Sequence, residues 1–172
     1  MQNHLSILGI FHTAISILAL FAAYVALYRE GRINPKSGAG KLYVILTIVT
    51  CLSAFPIMKL GHPTAGHYVG ILILILLPVG IYAKQLLIFG KLAVYVQVII
   101  LSTTLFFSMI PAIVETLTRL PIDHPLAAGP NDVIVQKGLT LLMLLYVVGV
   151  LYQIVKLRSQ RKSLNNQNPA IS

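Results

Sequence analysis

Leu5-Ser-Ile-Leu-Gly-Ile-Phe-His-Thr-Ala-Ile-Ser-Ile-Leu-Ala-Leu-Phe-Ala-Ala-Tyr-Val-Ala-Leu-Tyr28 carries no charged side chain and a single imidazole, that of His12. Crossing the hydrocarbon core of a bilayer takes roughly 20 mostly apolar residues in a helix. This run is long enough. It is too long for the apolar core of a signal peptide, and Met1-Gln2-Asn3-His4 ahead of it brings no basic residue. It is therefore read as a retained membrane helix.

Working outward, four more apolar blocks follow, separated by polar turns. Of the 172 residues, 57% are hydrophobic and 10% charged, and the mean hydropathy is +0.86. A soluble domain is about 25% charged, so this balance suits a chain solvated by lipid. The fold class expected is all-α, a polytopic transmembrane bundle occupying residues 1–158, with spans at about 5–28, 42–58, 67–83, 92–114 and 133–155. No room remains for a separate soluble domain. Residues 159–172 read as a polar, disordered tail. Between spans three and four, Lys84 to Lys91 includes Leu86-Leu87-Ile88-Phe89, which suits the membrane interface. The proline-rich stretch from Glu115 to Asp132 reads as an irregular loop or a surface helix.

Charge placement sets the expected orientation. One set of alternate connections, with the tail, holds Arg29, Arg32, Lys36, Lys41, Lys84, Lys91, Lys156, Arg158, Arg161 and Lys162. The other holds Lys59, Arg119 and Lys137. Basic residues accumulate on the cytoplasmic side of membrane proteins, so the N-terminus is expected outside and the C-terminus in the cytoplasm. Five spans satisfy both; an even number does not. The same placement, in short loops beside apolar spans, argues against nucleic acid as the partner of a chain with net charge +9. The lone Cys51 lies in an apolar run and excludes a disulfide framework.

Helix interfaces in membranes favour small or hydroxyl-bearing residues. His12, Ser16, Ala19, Ala23 and Ala26 form one such stripe, and Thr47, Thr50, Cys51 and Ala54 another. Gln97, Leu101, Thr104, Ser108 and Pro111 form a third, whose row continues to Glu115. Gly66-x-x-x-Gly70 has the close-packing spacing. Plain packing and interhelical hydrogen bonding account for all of these. Pro56, Pro78 and Pro111 each remove a backbone donor; kinks are the first reading, and helices broken around a transported solute or ion the second.

Ionisable groups inside a membrane are costly and mark candidate sites. His12 and His67, on different helices near the outer side, are the pair that axial ligation of a b-type haem would require; the alternative is a neutral histidine hydrogen-bonded between helices. A metal site on the outer face would draw on His62, His67 and His124, although His62 and His67 lack the short spacing of helical zinc sites. Glu115 could bind a cation or proton, or be solvated at the interface. Ser37-Gly-Ala-Gly-Lys41-Leu42 is not a phosphate-binding loop: Pro35 stands where its first glycine belongs and Leu42 replaces its hydroxyl residue. Four acids in all, Glu30, Glu115, Asp123 and Asp132, argue against a carboxylate-pair enzyme.

Phe11-His12, Tyr43 at the start of span two, Phe55-Pro56 near its end, His67-Tyr68-Val69-Gly70 and the stretch Leu126 to Pro130 before Gln136 form a pattern. With these residues the chain resembles a group of small, uncharacterised multi-span inner-membrane proteins of bacteria. It departs from them in placing Gly66 before His67, where they carry a hydroxyl residue. The resemblance covers roughly Ile10 to Val155, singles out His12 and His67, and implies no activity. The function expected is that of a non-enzymatic accessory or structural membrane component, embedded in the lipid bilayer and able to assemble with itself or a membrane partner. A b-haem redox subunit and a small-solute or ion transporter are the alternatives.

Overall fold

A computed structural model describes residues 7–57, 63–121 and 123–167. Its elements are α1 (Ile7–Glu30), α2 (Gly38–Ala54), α3 (Ala65–Tyr82), a 3₁₀ turn (Leu87–Leu92), α4 (Ala93–Arg119) and α5 (Val133–Gln167). The described residues are all-helical, without strands. Four helices are long and apolar enough to cross a membrane: α1, α3, α4 with its preceding 3₁₀ turn, and α5; α2, with 17 residues, is shorter.

Local chemistry sets the ends. Gly31 closes α1 in the left-handed region (φ +70°), its N–H donating to the Leu27 carbonyl at 2.8 Å. Glycine adopts that conformation without a Cβ penalty. The chain then doubles back onto α2. Ser37 caps α2 by accepting the Gly40 N–H at 3.2 Å while its hydroxyl donates to the Asn34 carbonyl. A Cβ on Gly40 would fall 1.8 Å from that carbonyl oxygen, so only glycine permits the approach. This cap starts α2 at Gly38, inside the segment read as a turn. At the other end the helix stops at Ala54, just ahead of Phe55-Pro56 and short of the expected end at Met58.

The remaining differences from the expected spans also have local causes. α4 continues past 114 to Arg119, helped by the Glu115–Arg119 ion pair four residues apart and by Thr118 Oγ1 donating to the Val114 carbonyl. It ends at Leu120, which is extended (φ −119°, ψ 142°), the conformation that a following proline favours. α5 runs well past 155 and into the tail expected to be disordered, reaching Gln167. Lys, Arg and Gln are good helix formers, and Arg161 anchors the extension by donating to the Lys91 carbonyl at 3.0 Å and stacking 5.2 Å from the Tyr95 ring. Pro78 and Pro111 both lie inside continuous helices.

The helices α1 to α4 form a closed ring in chain order, α4 returning to touch α1. α2 and α4 face each other across it, and Tyr43 spans the gap: it is fully buried and its hydroxyl meets Thr104 Oγ1 at 2.9 Å. Around it lie Ala22, Ala23, Ala26, Ile33, Cys51, Ile73, Leu77 and Leu101. The alanines of α1 leave the space that the tyrosine fills. α3 and α4 come close at Gly80, where a Cβ would lie 2.9 Å from Leu101. Gly66, by contrast, is exposed, and Gly70 meets only Cys51; the Gly66-x-x-x-Gly70 spacing makes no tight seam.

Among the helices α5 packs on α4 alone. Gly138 sits against Ile113 and Leu117, Tyr146 against Phe106 and Thr103, and Gln153 accepts a buried hydrogen bond from Ser102 at 2.8 Å. Its other faces are apolar and exposed, as at Leu144, Val148 and Val155.

Candidate functional site at the histidine end

α1 begins, α2 ends, α3 begins and α4 ends at one end of the bundle. His12 and His67 are both there, His12 meeting Ser53 in the last turn of α2 and His67 meeting Phe55 just after it. His12, half-buried, places Nδ1 3.0 Å from Ser53 Oγ. The single Ser53 proton is already donated to the Thr50 carbonyl at 3.0 Å, so Ser53 accepts and His12 donates from Nδ1. The His12 Nε2 then keeps its lone pair.

His67 is the mirror case. It is buried, lies tilted against the Phe55 ring at 6.3 Å between centroids and accepts the Thr64 backbone N–H on Nδ1 at 3.0 Å. An acceptor Nδ1 puts the proton of the neutral ring on Nε2. That Nε2 is buried and has no partner among the described residues. One imidazole therefore offers a lone pair and the other an N–H, and no hydrogen bond or ring contact joins the two among the described residues.

This bears on haem. An axial histidine binds iron through a ring nitrogen lone pair while its other nitrogen donates a proton to an acceptor. His12 has that form. His67 in this tautomer does not: ligation through Nε2 would need the ring proton on Nδ1, facing the Thr64 hydroxyl at 2.9 Å, and would leave the Thr64 N–H without its acceptor. As held here, the pair does not fit bis-histidine iron.

The other residues singled out by sequence have separate surroundings. Gln97 is buried and its Nε2 donates to the Gly80 and Ile81 carbonyls at 3.0 and 3.3 Å, which caps the end of α3 and ties it to α4. Glu115 is exposed and paired with Arg119. His124 is exposed in the loop after α4, and His62 lies outside the described residues. Among the described residues no three His, Cys, Asp or Glu side chains gather as metal ligands would.

Sequence reading did not find Ser53, Thr64, or the Ser102–Gln153 and Thr103–Tyr146 pairs. Thr64 and His67 do stand three apart ahead of an apolar run, the spacing of a capping box, but the box is recognised by an acid or glutamine at its last position. Compared with known family models, curated proteins and solved structures, the chain matches none.

Proposed function

We propose that the protein is a non-enzymatic accessory or structural component of a bacterial inner (plasma) membrane, crossing it five times with the N-terminus outside and the C-terminus in the cytoplasm. One observation carries the functional part. The polar residues of the helix faces serve as neutral ties between helices: His12 to Ser53 joins α1 and α2, Tyr43 to Thr104 joins α2 and α4, Gln97 joins α4 to α3, and Ser102 to Gln153 joins α4 and α5. Such ties hold membrane bundles together. A fifth span is favoured because α2 lies alongside α1 from His12 at one end to the turn after Glu30 at the other, matching its depth.

Neither alternative has comparable support. The haem reading meets the opposed histidine tautomers. The transport reading meets unbroken helices at Pro78 and Pro111 and a Glu115 already paired with Arg119. The deciding experiment is purification in mild detergent followed by native electrophoresis and visible spectroscopy, oxidised and dithionite-reduced, from cells supplied with haem precursor. A colourless protein in a discrete assembly larger than the monomer is the expected result. Stoichiometric haem, or solute flux by the protein alone in liposomes, would overturn it.

A further inference from the structure

The opposite end of the bundle holds features that the interhelical ties do not use. Between the first turns of α2 and the last turn of α3 lies a small groove of about 100 Å³, lined by Pro35, Lys41, Val44, Ile45 and Ile81. Its wall is apolar except for Lys41. Ile45, on its rim, is exposed on the flank of the bundle, so the groove is reached from the side, where lipid lies.

Basic residues surround its mouth. Lys36 follows Pro35 in the turn, and Lys84 follows α3 two residues after its end. Burial, together with the neighbouring charges of Arg32, Lys36 and Arg161, holds the Lys84 amine below the ordinary lysine value. Lys156 of α5 reaches over Gly31, and Arg161 reaches Lys91, so the extension of α5 brings further positive charge across this end. The one acid in these segments, Glu30, accepts a hydrogen bond from Asn34 Nδ2 at 3.1 Å. No acid of the chain's own is placed to neutralise Lys84.

The 3₁₀ turn beside it sets the depth. Leu87 and Ile88 are 96% and 86% exposed, between Lys84 and Lys91. Apolar side chains fully exposed next to lysines suit the boundary between acyl chains and headgroups. The lysines then stand at the level of lipid phosphates.

We propose that an anionic phospholipid of the surrounding leaflet binds here, one acyl chain lying in the groove along Pro35, Val44, Ile45 and Ile81 and its phosphate held by Lys36, Lys41 and Lys84. An apolar stem with a negative head is the chemistry that a groove with a cationic mouth recognises, and anionic headgroups draw basic residues near the surface. The site rests on the reading that the helices cross a bilayer, not on which end faces the cytoplasm.

The test is a titration of the full chain, delipidated in mild detergent, with phosphatidylglycerol or phosphatidylcholine of the same acyl chains, bound lipid being counted by native mass spectrometry. Phosphatidylglycerol should bind about tenfold more tightly. The double variant Lys36→Gln/Lys84→Gln should abolish that preference, while Lys137→Gln at the other end keeps it. Ile45→Trp, which fills the groove, should weaken both lipids with helix content unchanged by circular dichroism. Equal binding of the two lipids, or a preference that survives the double variant, overturns the site. Displacement of phosphatidylglycerol by inorganic phosphate, with Ile45→Trp silent, would make it a free-phosphate site and overturn the lipid. Release of the chain from membranes by alkaline carbonate would instead break the membrane reading beneath it.

Discussion

At the histidine end His12 has Ser53, His67 has Thr64 and Glu115 has Arg119; at the basic end ten lysines and arginines share Glu30, whose carboxylate is engaged by Asn34. Arg119 and Lys137 face Glu115, Asp123 and Asp132 at the first, with Lys59 outside the described residues, so the chain's positive charge is concentrated at the second. The first end pairs its ionisable side chains largely from within the protein, His67 Nε2 excepted. The second leaves its charges to whatever surrounds it. In the function proposed above, the anionic headgroups of a membrane would supply the missing partner.

The largest expected effect comes from erasing the division. With Arg29, Arg32, Lys36 and Lys41 all changed to Gln, on the order of a tenth or more of the chains should insert inverted. A single cysteine at Gly129 in a Cys51→Ser background, labelled with an impermeant maleimide on intact cells and on inverted vesicles, reads the fraction. Labelling from one side only, unchanged from the parent, would remove charge as the determinant of orientation.

A smaller effect separates the two histidines. His12→Phe removes an interhelical hydrogen bond and should lower stability by about 0.6 kcal/mol, measured by thermal unfolding in detergent. His67→Phe loses the Thr64 contact, about 1 kcal/mol, but also removes a buried N–H without an acceptor, whose burial costs about 1–3 kcal/mol. Its net effect should be neutral or stabilising. A loss above about 2 kcal/mol there would mean that Nε2 has a partner in the native protein.

The smallest effect is at Asp132, where α5 starts. Its carboxylate accepts the Ile134 and Ala128 N–H groups at 3.0 Å, which holds its pKa below the ordinary carboxylate value. A lowered folded-state pKa contributes stability above the unfolded value of about 3.9 and loses it as pH falls through the folded one. Asp132→Asn should therefore lower stability slightly at neutral pH and flatten the acid limb, the two curves converging as pH falls below about 4. An acid limb identical to the parent's would show the cap to be idle.

Much of the helix placement could be read in advance, because an apolar block of membrane length has few other uses. The stripe through Ala19, Ala23 and Ala26 is buried as its spacing requires, and so are Gln97, Leu101 and Thr104. The row ends sooner than expected, however: Glu115 lies on it by register yet is exposed. Gly38-Ala-Gly40 reads as part of a turn because the segment is rich in turn formers, while the Ser37 cap that overrides this depends on a fold-back at Asn34. The histidine tautomers were out of reach for a related reason. Each is fixed by a partner, Ser53 at 41 residues' separation and the Thr64 backbone at three, and spacing reveals neither a register between helices nor the direction of a proton.

The ring of α1 to α4 closes on itself, and α5 touches only α4 among the helices. Since a chain is made from its N-terminus, every helix-to-helix contact of the ring lies in residues already synthesised before Val133 is reached. The ring can form as a finished unit while the last helix is still emerging. α5 then joins a preformed surface, and its Gln153 and Tyr146 find Ser102 and Thr103 already in place. Assembly order follows chain order, and the final helix is the one whose loss leaves the rest of the bundle a closed structure.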